Sequence, residues 1–145
     1  MFDIQVSSIF PNLQPGEFYE TSPKTEDYNC IAWAADDQDR WWWPDPNNYW
    51  PQEVLRVVIL DAFIEAFRGL RYEPCMDGSL EEGFEKVVIY VKGVAPTHAA
   101  RQLSSGWWTS KLGREWDIVH KRVEDVEGAV YGQAAQFMRR PRDDE

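Results

Sequence analysis

Two residue types in this chain have the chemistry for nucleophilic catalysis. Cys30 lies in Tyr28-Asn29-Cys30-Ile31-Ala32-Trp33-Ala34, where a turn hands over to a helix. His98 lies in Thr97-His98-Ala99-Ala100-Arg101-Gln102-Leu103, which reads as a strand. The chain has two cysteines and two histidines, so few pairings exist. A thiol attacks as the thiolate, and a free pKa of about 8.5 leaves little of it at neutral pH. The first turn of a helix favours the anion through its unpaired N–H groups and its dipole. A nearby imidazolium favours it further. The same amides can hold a tetrahedral oxyanion. Cys30 as nucleophile and His98 as general base and acid would cleave or transfer an acyl group, if folding joins them.

A third group should accept the other imidazole N–H. With Ser104-Ser105 as a two-residue turn, His98 would face Lys111, which accepts no hydrogen bond. Ser110 would serve if the register slips by one, and Asp117 is the carboxylate available on the following strand or loop. Asp117 ranks ahead of Ser110. Asn29, beside the thiol, has an amide to offer an oxyanion. Trp33, Trp42, Trp43 and Trp108 are candidates for a substrate groove, with core packing as the competing role. Lys111 is a candidate contact for a substrate carboxylate. Cys75 reads as structural, and His120, beside Lys121 and Arg122, as a surface residue. No pair among the cysteines and histidines has a short metal-ligand spacing, so neither a metal nor another cofactor is expected.

These residues need positioning elements. The 145 residues suit one domain with one core. Residues 1–27 are rich in Pro, Gly, Ser and Thr and predict an extended arm anchored by Ile9, Phe10, Leu13, Phe18 and Tyr19. Asp27 is a plausible N-cap for a helix over 28–37. Residues 40–51, with three prolines and a Trp triplet, form a loop. Leu55, Val58, Ile59, Ala62, Phe63, Ala66 and Phe67 predict a core-facing helix over 52–68. Residues 86–91 predict a buried strand, followed by the His98 strand. Ser104-Ser105-Gly106 signals a hairpin, and Trp107 to Leu112 the returning strand, ending at Gly113. Residues 117–120 add a short strand, and 128–138 predict a terminal helix. Residues 28–138 thus form one α+β domain, a Cys-bearing helix packed on an antiparallel meander. Residues 139–145 read as a charged, solvated tail.

Composition narrows the function classes. Lys plus Arg is 15 against 25 for Asp plus Glu, a net charge of -10. Such a field argues against nucleic acid or an anionic membrane surface as partner. No apolar run approaches the ~20 residues of a membrane span, and residues 1–6 lack the pattern of a signal peptide. Two cysteines make no disulfide framework. A reducing cytoplasm is the expected compartment.

The order helix-cysteine, strand-histidine, then a polar residue on a following strand resembles the papain-like superfamily. The compact bacterial NlpC/P60 branch is similar in size and order, and in Tyr28 before the thiol and Thr97-His98-Ala99. The resemblance implies a papain-like fold and a cysteine hydrolase or acyl transferase of peptidase, amidase or deamidase type, acting on a peptide, protein or small amide. The chain lacks that branch's Asp-Cys-Ser-Gly segment, which argues against a cell-wall substrate. It also resembles a bacterial family of unassigned activity through four segments: 28–34, Trp41-Trp42-Trp43-Pro44, 97–103 and Ser110-Lys111-Leu112-Gly113. The alternative function is a binding or immunity-type interaction module with a Trp-lined groove and no chemistry.

Overall fold

Lys86-Val87-Val88-Ile89-Tyr90-Val91 is apolar on both of its alternating faces, so it needs cover on both sides of a sheet. It receives that cover as the middle of β3, Phe84–Lys92. The computed structural model describes residues 9–22, 25–112 and 116–142. Residues 1–8, Pro23, Gly113 and the Asp143-Asp144-Glu145 end of the expected tail lie outside the described residues.

The other strands are β1 (Phe18–Ser22), β2 (Glu73–Cys75), β4 (Ala95–Gln102), β5 (Trp108–Lys111), β6 (Asp117–His120) and β7 (Gln133–Pro141). Together they form one seven-stranded sheet of order β1-β6-β5-β4-β3-β7-β2. Every neighbouring pair is antiparallel. Two helices accompany it, α1 (Cys30–Ala34) and α2 (Leu60–Arg68), with a 3-10 turn at Val123–Val126. The α+β class with a mostly antiparallel sheet is therefore as the sequence indicates.

Alternation along the strands divides the core in two. Val87, Ile89, Ala99 and Met138 face the helices and pack with Ile31, Phe63, Phe67 and Trp50. Val88, Tyr90, Ala100, Trp108 and Ile118 face the other way, under Phe10, Leu13, Val126 and Tyr131. Each fully buried side chain of this size contributes about 1.5–3 kcal/mol.

Four boundaries differ from the sequence reading. The first helix is five residues long rather than 28–37, and its N-cap is Asn29 rather than Asp27. The second spans only Leu60–Arg68 instead of 52–68. Pro51 opens a turn that Val54 closes onto its carbonyl, and the Trp50 indole N–H takes the Leu55 carbonyl. Those bonds draw backbone groups of 51–55 away from a helical ladder. The helix expected at 128–138 is instead β7, because pairing with the whole of β3 overrides the helix propensity of its Ala, Gln and Met residues. That strand runs through Arg139 and Arg140, which pair with Glu81 and Glu85, so the solvated tail does not begin at 139. The N-terminal arm carries an edge strand, with Phe10 and Leu13 buried but Ile9 and Tyr19 exposed. Among the described residues, no helix is long and apolar enough to cross a membrane.

Candidate functional site

The turn preceding α1 is built by one side chain. Asn29 Oδ1 accepts the N–H of Ala32 and that of Trp42, while its Nδ2 donates to the Trp42 carbonyl. The residue caps the helix and clamps the aromatic loop to it at once. Its amide is thus buried against the Trp42 backbone, a structural task in place of the expected oxyanion one. Cys30 follows in the first turn and is only 6% exposed. Its Sγ donates to the carbonyl of Thr97 at 3.7 Å, and the backbone of Ala99 also bonds the sulfur. Paired residues of β4 and β5 are Arg101↔Thr109 and Gln102↔Trp108. Ala99, two residues from Arg101, presents its backbone to the same edge, and the thiol occupies it. Burial pushes the Cys30 thiol up to about 11, outweighing the backbone bonds and the Lys111 charge that act against it. The nucleophile expectation required a shift the other way.

His98 belongs to the opposite layer. It pairs in register with Tyr90, whose ring is 5.2 Å away, and it stacks on Tyr131 at 3.9 Å. Cys30 packs with Ala99 and Ile89, on the helix side of the sheet. The strand that carries His98 thus stands between imidazole and sulfur, and the expected Cys30–His98 dyad does not form.

The histidine has another partner. Its Nε2 lies 3.1 Å from Ser110 Oγ, and Ser110 Oγ lies 2.8 Å from His120 Nε2. His120 Nδ1 is 2.9 Å from the Arg122 carbonyl and 4.0 Å from Asp125 Oδ2. A carbonyl accepts only, so His120 carries its proton on Nδ1 and receives the Ser110 hydroxyl proton at Nε2. Ser110 Oγ must then accept from His98 Nε2–H. His98 Nδ1 is left as a buried acceptor with no hydrogen-bond partner among the described residues. The proton order runs in one direction, His98 to Ser110 to His120 to the Arg122 carbonyl. Burial holds His98 well below its usual range, with the neighbouring His120 adding to the effect. Burial brings His120 down to about 4, against the opposing pull of the Arg122 carbonyl and Asp125. Both rings are neutral at pH 7. A serine hydroxyl aimed at an imidazole is the arrangement of a serine hydrolase. Here His98, Ser110 and His120 have no exposed surface, and the serine oxygen is held from both sides.

Asp117 does not orient His98. Its Oδ2 accepts from the Tyr28 hydroxyl at 2.6 Å on the helix side of the sheet. Burial, then this bond, raises the Tyr28 hydroxyl well above its usual range. Lys111 sits opposite Asp117 in the ladder, fully buried, with Nζ 5.5 Å from the Tyr28 ring. It is inaccessible to a substrate carboxylate. The tryptophans are likewise committed. Trp42 is in the core, Trp43 meets Phe63 edge-on at 5.4 Å, and Trp108 is buried in the far layer. Trp33 stacks on Tyr28 and donates to Thr109 Oγ1. No shared Trp-lined groove results from these four.

An open groove of about 680 Å³ does exist beside α2. Tyr49, Pro51, Val54, Leu55 and Ile59 supply its apolar lining, and Glu53, Asp61, Glu65 and Arg68 its charge. No group of three or more His, Cys, Asp or Glu side chains is placed to hold a metal ion among the described residues.

Residues 19–139 match the family DUF7689, described as a domain of unknown function. The chain belongs to that family. No curated protein and no solved structure matches it. In this DUF7689 domain the buried polar centre was legible only in part. His120 reads as a surface residue from its basic neighbours, yet it alternates with Ile118 on the same face, which was the available signal. Tyr131 and Asp125 carry no motif at all.

The clamp at Asn29 yields a prediction for this domain. Asn29→Ala removes the cap of α1 and leaves the Trp42 backbone groups without their partner. A loss of about 2–3 kcal/mol in unfolding free energy is expected, read by urea denaturation. A loss within about 0.5 kcal/mol of zero would contradict the double role.

Proposed function

We propose that this DUF7689 domain is a non-catalytic binding module, built on a papain-like order of elements and working in the cytoplasm. The papain-like reading is supported by the order of the Cys30 helix, the His98 strand and the Ser110 strand, and by the His98–Ser110 bond. The non-catalytic reading is carried by one observation: the Cys30 sulfur and the His98 ring lie in opposite layers of the sheet. A thiol raised to about 11 has about two orders of magnitude less thiolate at pH 7.5 than an ordinary one. The partner is a protein or peptide, since the net charge of -10 disfavours polyanions.

Alkylation of the native protein tests this. With iodoacetamide at pH 7.5, Cys75, which is half-buried, is expected to react while Cys30 stays unmodified until urea unfolds the chain. Mass mapping of the alkylated peptides reads the two sites separately. Native Cys30 reacting faster than a free thiol below pH 8 would restore the cysteine hydrolase reading and remove this one.

A further inference from the structure

The segment between Pro51 and α2 has a pattern that the core does not absorb. Leu55, Val57, Val58 and Ile59 are 67%, 37%, 38% and 44% exposed. Four neighbouring apolar side chains in water, beside a groove of about 680 Å³, are the sign of a surface that another chain covers. The groove floor is firm. Ala62 and Phe63 of α2 are buried in the core, and Phe63 is locked between Trp43 and Trp50. The wall is firm too, because Trp50 donates to the Leu55 carbonyl and Arg56 Nη1 donates to the Asp45 carbonyl at 2.6 Å.

Charge selects the occupant. Glu53 and Asp61 stand at the groove and have no ion-pair partner among the described residues, whereas Arg68, which lines it, is already paired with Glu65 and Glu73, and Arg56 of the wall is turned to the Asp45 and Asn48 carbonyls. A second copy of this chain would bring another net charge of -10 to the same place, which opposes self-association. A partner whose apolar residues are flanked by lysine or arginine would cover Leu55 and Ile59 and pair with the two carboxylates.

We propose that the groove between residues 51–59 and α2 is the docking site for a basic amphipathic segment of a partner protein. This rests on the binding-module reading and names its site and partner class. The apolar wall supplies burial, and Glu53 and Asp61 supply orientation and rejection of acidic segments.

An amphipathic leucine–lysine peptide is the probe, and its leucine–glutamate counterpart the control, with binding to the full chain followed by calorimetry. The lysine peptide is expected to bind, more weakly as salt rises, and the glutamate peptide not at all. Glu53→Gln with Asp61→Asn, and separately Leu55→Ser, should each weaken binding at least about tenfold. Glu82→Gln with Glu124→Asn changes net charge equally on exposed positions away from the groove and should leave the affinity within about twofold. Equal weakening by both charge pairs, or no binding of the lysine peptide, overturns the proposal. Self-association of the protein that Leu55→Ser abolishes would make a second copy the occupant and also overturns it. Cys30 alkylation, run on the same protein, reports on the binding-module reading independently of all these results.

Discussion

Gly132→Ala is expected to cost about 4 kcal/mol or more, most of the stability of a domain near the lower end of the ordinary range of about 5–15 kcal/mol. Gly132 has φ +78, where a side chain is disfavoured by about 1–2 kcal/mol. The larger cost is steric. A Cβ there would penetrate the carbonyl oxygen of Val91 and come within 2.7 Å of Lys92 Cα. These are backbone atoms of β3, the strand at the centre of the core, and they cannot rotate away. Gly132 also exchanges two backbone bonds with Gly128, at 2.8 and 2.9 Å, closing the loop that launches β7. Its neighbour Tyr131 is the ring stacked on His98, so a displaced loop would uncover the imidazole as well. Urea denaturation and near-ultraviolet circular dichroism read both effects. Gly16 is a fair comparison: its φ is +83, yet nothing lies within 4 Å of an added Cβ. Gly16→Ala should cost only about 1–2 kcal/mol. Similar losses at both positions would refute the steric argument.

The second large effect concerns Ser110. Ser110→Ala removes a donor and an acceptor at once, leaving His120 Nε2 and His98 Nε2–H buried without partners. Each orphaned group costs about 1–3 kcal/mol, so about 2–6 kcal/mol should be lost in all. Ser110→Thr would keep the hydroxyl but add a methyl to a fully buried site, and should recover only part of that loss. The same network makes stability depend on acid. The folded His120 titrates at about 4 and an unfolded histidine near 6.5, so the unfolded chain takes up the proton first. His120 therefore contributes its full stabilisation above pH 6.5 and loses it progressively as the pH falls toward 4. At pH 5 the loss is about 2 kcal/mol from this residue alone, and His98 acts in the same direction. Carboxylate titration contributes equally to the wild type and to His120→Gln, so the difference between their pH profiles isolates the histidine. Parallel profiles between pH 7.5 and 5 would show that His120 is not buried as a neutral base.

The sequence showed most clearly what depends on short-range pattern. β4 and β6 lie where strands were expected, and the Phe63, Ala66 and Phe67 stripe of α2 packs as its spacing requires. The hairpin was visible, but its register was not. Gly106, at φ +95, lengthens the turn, so that Arg101 rather than Ala100 pairs with Thr109. That single step brought Ser110 toward His98 and set Lys111 elsewhere. The layer on which His98 falls was beyond sequence reasoning, because its neighbours Ala99 and Ala100 are equally apolar and buried in opposite layers, which leaves no pattern to say which face meets the helices. Helix and strand carry cysteine and histidine in the expected order, yet one step of parity decides whether they meet. β7 was missed for a different reason. Its residues favour a helix locally, and only a vacant edge of β3 makes them extended.

The position of β7 has consequences for biosynthesis. Of the seven described strands it is the last in chain order, yet it lies in the interior of the sheet, between β3 and β2. Until it arrives, one edge of β3 exposes the bare amides and carbonyls of a Val- and Ile-rich ribbon, the kind of template on which nascent chains aggregate. Closure of the sheet must therefore wait for residues 133–141 to emerge, and a chain made only up to that point is the form most in need of a chaperone.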